Sequence, residues 1–410
     1  MKNKLSNITL ILTIAPLILI VLFLGFYNKK DYKLVDIDGN RQELGDISLI
    51  SHKREGIYNT IEVEFTKDGV NSKKHVKEVP VGIPATKYSK ENRDILSNQV
   101  ENNKQVYKDD KSIGTVSVGM DYTNGSYKSR LIATIKDKNL KTNRVKTYEI
   151  PIETNLDSRI NYSYTDISTK HNGDVYLILG SNTEEDYRND RPTSRKSCIK
   201  VYKLNLENES SQIISNKVIN EGSDVSGINT YISLLNKDIA YMIKNNYDNT
   251  SEDGKVVKSE LIKYHIKEDY FETVEMPFYS ANPDFADYKY DIEGDEVSFI
   301  SYLYDKDSKE LNIDVLGMNL VDNKASNKDH YTIEMKDKNF DYRLYDEILV
   351  NNKRYMIIRA TKETVEGSYY NTEEKNYIYV LDEKNNKVLY GGEIKGGDIV
   401  NLNLVKKEDL

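Results

Sequence analysis

Residues 172–206 read NGDVYLILGSNTEEDYRNDRPTSRKSCIKVYKLNL. Two runs in this stretch, DVYLIL from Asp174 and IKVYKLNL from Ile199, are short, rich in branched and aromatic residues and broken by polar residues at alternate positions. Side chains in an extended strand alternate between faces, so each run predicts a strand with one face buried. The polar stretch 181–196 between them reads as a long connection.

The same couple recurs along the chain. DISLIS starts at Asp46, TVSVGM at Thr115, DIAYMI at Asp238, EVSFIS at Glu296 and RYMIIR at Arg354. With Asp174 included, the separations are 69, 59, 64, 58 and 58 residues. Each run has a second behind it: YNTIEVEF, RLIATI, ELIKYHI, ELNIDVL and NYIYVLD. Third candidates such as YEIPI, SQIISNKVI and KVLYGGEI follow, and YSYTDIS, TYISLL, YKYDIE and YRLYDEILV lead in. Helical periodicity is nearly absent here, apart from a short turn expected around residues 89–98.

Four strands per unit and six units predict an all-β fold, a six- or seven-bladed β-propeller, the seventh blade hidden in the long first interval. Paired β-sandwiches are the alternative, because the spacing exceeds the roughly 40–50 residues of common propeller repeats. YKLVDID at Tyr32 and IVNLNLV at Ile399 are expected to share one blade and fasten the termini.

Residues 5–27 carry no Asp, Glu, Lys, Arg or His. At about 1.5 Å per residue they make a helix of roughly 34 Å, long enough for the hydrocarbon layer. Lys2 and Lys4 give an export-like start, and FLGFYNKK lacks a small-x-small cleavage pattern, so residues 1–30 read as a retained anchor and 31–410 as an extracytoplasmic domain. The lysines flanking the helix on its two sides nearly balance, so the export-like start decides for an outside domain. The patterns NGDVYLILG, NKDIAYMIKNNY and NNKRYMIIRA make the region from Tyr32 to Leu410 resemble the membrane-tethered extracytoplasmic β-propeller proteins of Gram-positive bacteria. That resemblance implies loops or a central face offered to a partner, and it carries over no site residue.

The formal charge of -8 is spread over 58 basic and 66 acidic residues, with no basic block for nucleic acid. One cysteine, Cys198, excludes an internal disulfide. His52, His75, His171, His265 and His330 stand singly, so neither a metal nor another cofactor is expected. Asp305, Asp307 and Glu310 in YDKDSKEL have the spacing of oxygen ligands but read better as a hairpin turn. Neither a GxSxG elbow nor a phosphate loop is present.

The chain therefore reads as a noncatalytic tethered module binding the lipid bilayer through residues 5–27 and a membrane or cell-envelope protein through its loops. The alternatives are an extracellular carboxylate-dependent glycan hydrolase, whose acid pair is set by the fold, and a sensory or structural subunit of a membrane complex. There is no Trp for a sugar platform, but 32 Tyr are available. Tyr162, Tyr164, Tyr241, Tyr288, Tyr290, Tyr302, Tyr304, Tyr369 and Tyr370 are candidates for an aromatic face or for sheet packing. The partner is expected at 181–196 and 245–258, through Asp186, Tyr187, Arg188 and Arg191 in one connection and Tyr247 and Asp248 in the other.

Overall fold

The computed structural model describes residues 32–55, 59–76, 86–96, 105–122, 128–157, 160–161, 166–188, 191–222, 234–236, 238–248, 255–276, 288–293, 295–363, 372–396 and 400–410. The expected anchor, residues 5–27, lies outside these. Among the described residues no helix is long and apolar enough to cross a membrane.

The chain is all-β. In order, the strands are β1 (Lys33–Gly39), β2 (Ile47–Glu55), β3 (Asn59–Thr66), β4 (Gly69–Val76), β5 (Gln105–Lys108), β6 (Ser112–Tyr122), β7 (Lys128–Asn139), β8 (Val145–Asp157) and β9 (Ile160–Asn161). Next come β10 (Asp166–His171), β11 (Asp174–Arg188), β12 (Arg191–Asn205), β13 (Ser210–Gly222), β14 (Leu234–Asn236), β15 (Ile239–Asp248), β16 (Lys255–His265) and β17 (Tyr270–Glu275). The last are β18 (Tyr288–Glu293), β19 (Glu296–Asp305), β20 (Glu310–Asn319), β21 (Ala325–Glu334), β22 (Asp341–Val350), β23 (Lys353–Glu363), β24 (Thr372–Asp382), β25 (Lys387–Lys395) and β26 (Val400–Lys406). One short helix, α1 (Lys87–Glu91), falls where the helical turn was expected and is capped by the Thr86 side chain.

These strands form six antiparallel sheets. The second to fifth are meanders of consecutive strands, β5–β8, β10–β13, β14–β17 and β18–β21, the third joined also by β9, which pairs with β11 at Asn182 and Thr183. The first has the order β26-β2-β3-β4 and the sixth β1-β25-β24-β23-β22. The two terminal strands, expected from the sequence to share one blade, lie in different sheets. They cross over: β1 forms the edge of the sixth sheet beside β25, and β26 forms the edge of the first beside β2. First strands of neighbouring sheets touch, β5 with β10, β10 with β14, β18 with β22 and β22 with β26.

The second and third strands are buried on both faces, not on one. In β24 the residues Tyr377, Tyr379 and Leu381 enter a core with Ile313, Val315 and Phe340 of the fifth-sheet side. Their alternates Ile378 and Val380 enter another with Leu49, Phe65 and Leu402 of the first sheet. A period of two feeds two cores when a sheet is stacked on both sides. Similar cores lie between the second and third sheets and between the third and fourth.

Turn chemistry repeats as strictly as the strands. Asn139, Asn205, Asn319 and Asp305 each take the amides two and three residues on with one side-chain oxygen. Four residues after each comes a left-handed residue, Asn143, Glu209, Asn323 and Lys309. Asn172–Gly173 and Asn351–Asn352, both pairs at positive φ, make the two-residue turns favoured by strand twist.

Gly39 ends β1 at φ +70, where an added Cβ would overlap the Leu389 carbonyl. Gly173, at φ +89, has nothing within 4 Å of that position. Both sites strain a non-glycine backbone, but only the first adds a clash. We expect Gly39→Ala to cost about 1–3 kcal/mol more than Gly173→Ala in urea unfolding. Equal losses would mean that β1 shifts freely on the sixth sheet.

Candidate functional site

In each sheet the hairpin between the second and third strands lies at one end. The first-to-second and third-to-fourth turns lie at the other. Cross-sheet contacts keep the ends in common: His171 and Asp238 meet at 4.0 Å at the turn end, and Lys306 and Asp341 at 2.6 Å at the hairpin end.

The six residues expected to bind a partner fall at the hairpin end of adjacent sheets, the third and fourth. They are not in loops. The ladder of β11 and β12 continues outward until Arg188 faces Arg191, with Tyr187 opposite Pro192 and Asp186 opposite Ser194. Likewise β15 and β16 pair until Asp248 faces Lys255, with Tyr247 opposite Val256. The polar composition that suggested free connections is that of paired ribbons projecting beyond the cores.

The turn end holds two clefts on either side of the C-terminal turn Lys407–Asp409. One, of about 520 Å³, is walled by α1 residues Lys87, Tyr88 and Glu91 against Leu404, Glu408 and Asp409. The other, of about 590 Å³, lies between Asp46, Lys353, Tyr355 and Lys407. Lys406 and Glu408 line both. Their rims are set by contacts between the first and last sheets: Lys353 Nζ to Glu43 Oε2 at 2.6 Å, and the Leu404 amide donating to Asp346 Oδ2 at 2.9 Å. Tyr88 is 43% exposed, a free aromatic surface at the cleft mouth.

Away from the clefts, buried carboxylates are taken up in latches. Arg354, fully buried, binds Glu347 at 2.5 Å and Glu383 at 2.6 Å. Glu153 of the second sheet accepts from Lys200 at 2.6 Å and from the Tyr202 hydroxyl of the third. Asp137 accepts from Tyr107 at 2.7 Å and from Lys170 at 2.8 Å. Burial first, and then the Asp137 charge, push the Tyr107 phenol far up. Lys263 reaches across to the Leu320 carbonyl at 3.0 Å and to Asn323, and burial lowers its ammonium. Such charge-assisted contacts position the sheets.

The carboxylates that shift do so downward. The Arg41 hydrogen bond lowers Asp36, the Asn339 amide lowers Asp337, and the Asn385 side chain lowers Asp382. Asp305 is lowered by the Asp307 amide, so the acidic turn considered for calcium is a hairpin cap. No group of three metal-binding side chains occurs among the described residues. His52 pairs with Glu62 at 3.2 Å, His265 with Glu272 at 3.3 Å and His330 with Asp314 at 2.8 Å, each within its own sheet.

Of the candidate tyrosines, Tyr241 and Tyr302 are buried, and Tyr304 packs edge-on to Tyr342 at 4.5 Å. They are core residues. Tyr288 and Tyr290 lie on β18, while Tyr162, Tyr164, Tyr369 and Tyr370 lie outside the described residues. The turn-end clefts went unpredicted, because sheets remote in sequence build them.

No family model matches the chain, and no curated protein does. Among solved structures it is similar to the GH32 beta-fructofuranosidase BmSUC1 of Bombyx mori, at 11% identity and TM-score 0.33, covering 68% of this chain and 62% of that one. The chain thus spans under two thirds of that enzyme's length. The GH43_1 enzyme of Xanthomonas citri matches at 9% identity and TM-score 0.31, covering 70% and 89%. The apocarotenoid oxygenase of Synechocystis matches at 8% identity and TM-score 0.29, covering 92% and 96%. Glycoside hydrolases thus stand among the matched structures beside an oxygenase, and likenesses this distant carry no chemistry to the present chain.

Proposed function

We propose that the six sheets close into a six-bladed β-propeller, carried outside a membrane by residues 5–27, which acts as a noncatalytic binding or accessory module for a membrane or cell-envelope protein. The closure is supported by the reciprocal placing of β1 and β26, which ties the sixth sheet to the first. The binding role is carried by one observation: the buried carboxylates described above are bonded to cations, hydroxyls or imidazole, while paired ribbons project from two adjacent sheets. The partner surface lies on those ribbons, through Asp186, Tyr187, Arg188, Arg191, Tyr247 and Asp248.

Trimming both ribbons, by removing residues 186–192 and 247–256 and joining the ladders with Asn-Gly, should reduce partner capture in membrane crosslinking at least tenfold. The melting temperature should change by only a few degrees, because the core residues named above are all kept. Undiminished capture by the folded double variant would move the partner surface elsewhere.

The α1 cleft keeps the glycan hydrolase as a second reading. It sets Glu91, Glu408 and Asp409 around an exposed tyrosine, which is a surface on which a sugar ring can stack. Release of reducing sugar from a glycan library, lost in both Glu91→Gln and Glu408→Gln, would establish it. No release from any glycan would end it.

A further inference from the structure

The place where the chain leaves the body is fixed by the outermost ladder of the sixth sheet. In it Lys33 pairs with Lys395 and Gly39 with Tyr390. Lys395 is the last residue of a fourth strand, so it lies at the hairpin end, and β1 runs from that end towards the turns. Tyr32 is pinned there too: a Cβ on Gly396 would come within 3.1 Å of the Tyr32 Cα, and Gly396 sits at φ +145. Body and chain are therefore in contact up to Tyr32. From Tyr27 to Tyr32 the backbone can span at most about 18 Å, at 3.6 Å for each of five residues.

We propose that the anchored molecule stands with its hairpin end towards the bilayer and its turn-end clefts facing away. This rests on the reading of residues 5–27 as a retained anchor. The short reach holds the hairpin-end rim of the sixth sheet near the headgroups. The sheets are roughly 33 Å tall, taking β20, Glu310–Asn319, at about 3.3 Å per residue. The turn end is thus beyond the reach of that connection. The ribbons ending at Arg188/Arg191 and Asp248/Lys255 then project into the layer next to the membrane. The partner they fit is a protein embedded in the same membrane. A soluble ligand from outside would meet the clefts first.

Asp307 and Asp322 are exposed at opposite ends of the fifth sheet, the neighbour of the tethered one. Cys198, the one native thiol, is buried, so single-site labelling is practicable. The full chain carrying Asp307→Cys or Asp322→Cys would be labelled with a donor dye and reconstituted in phosphatidylcholine vesicles containing a headgroup acceptor. Energy transfer from position 307 should exceed that from 322 at least twofold. Inserting about twenty Gly/Ser residues after Lys30 should erase the difference, because a long flexible linker no longer dictates orientation. Equal or reversed transfer in the unextended chain would overturn the proposal. A folded chain that fails to float with vesicles would overturn it through the anchor instead, and flotation separates the two failures.

Discussion

Removing residues 397–410 should abolish the single cooperative unfolding transition of the domain. β26 is the edge strand of the first sheet beside β2, where Leu402 is 1% exposed. Its loss uncovers the edge of β2 and the core faces of Leu49 and Ile47, which are otherwise buried. It also removes the contact of β26 with β22, by which the last sheet meets the first. An open apolar edge is a template for association, so the truncated chain should elute as aggregates in size exclusion. Leu402→Ala gives a graded version, with a loss of about 2–5 kcal/mol in urea unfolding. A monodisperse truncated chain with a sharp melt would show that the sheets hold together without β26.

Arg354→Met is expected to cost about 3–5 kcal/mol, although the two side chains are of similar length. The guanidinium is completely buried and neutralises Glu347, 4% exposed, and Glu383, 13% exposed. Without it two carboxylates face one another in a dry setting. Two like charges buried together without their cation destabilise the fold, and the loss appears as a lower denaturant midpoint at pH 7. The triple variant Arg354→Met, Glu347→Gln and Glu383→Gln should recover much of the loss. A single variant as stable as wild type at pH 7, by denaturant midpoint, would refute the assignment of Arg354 as the charge that holds this corner together.

The strands were legible because their period of two and branched residues do not depend on tertiary partners. All six first-noted runs became second strands of their sheets, from DISLIS in β2 to RYMIIR in β23. Burial on both faces was not legible, since polar residues at alternate positions suggested solvent. Arg354 opens RYMIIR in the guise of an exposed end and is the largest fully buried side chain. The repeated NLKTN, NLENE and NLVDN segments announced the turns, and their common spacing could have fixed strand ends. The ribbons were mistaken for loops because hydrogen-bonded ladders beyond the core need no apolar pattern. The clefts join residues 46 and 88 to 404–408, and no local signal carries such a juxtaposition.

The crossed termini also bear on how the molecule is made. Tyr390 donates a hydrogen bond to Asp36, 354 positions away, and Lys353 reaches Glu43, 310 positions away. A ribosome releases residue 47 long before residue 400, so β2 waits with an open edge until β26 emerges. Contacts this distant in sequence form slowly. Where copies are crowded, the last strand of one nascent chain can fill the waiting edge of its neighbour. The early product of overexpression is then a strand-swapped pair, with each copy closed by the other's last strand.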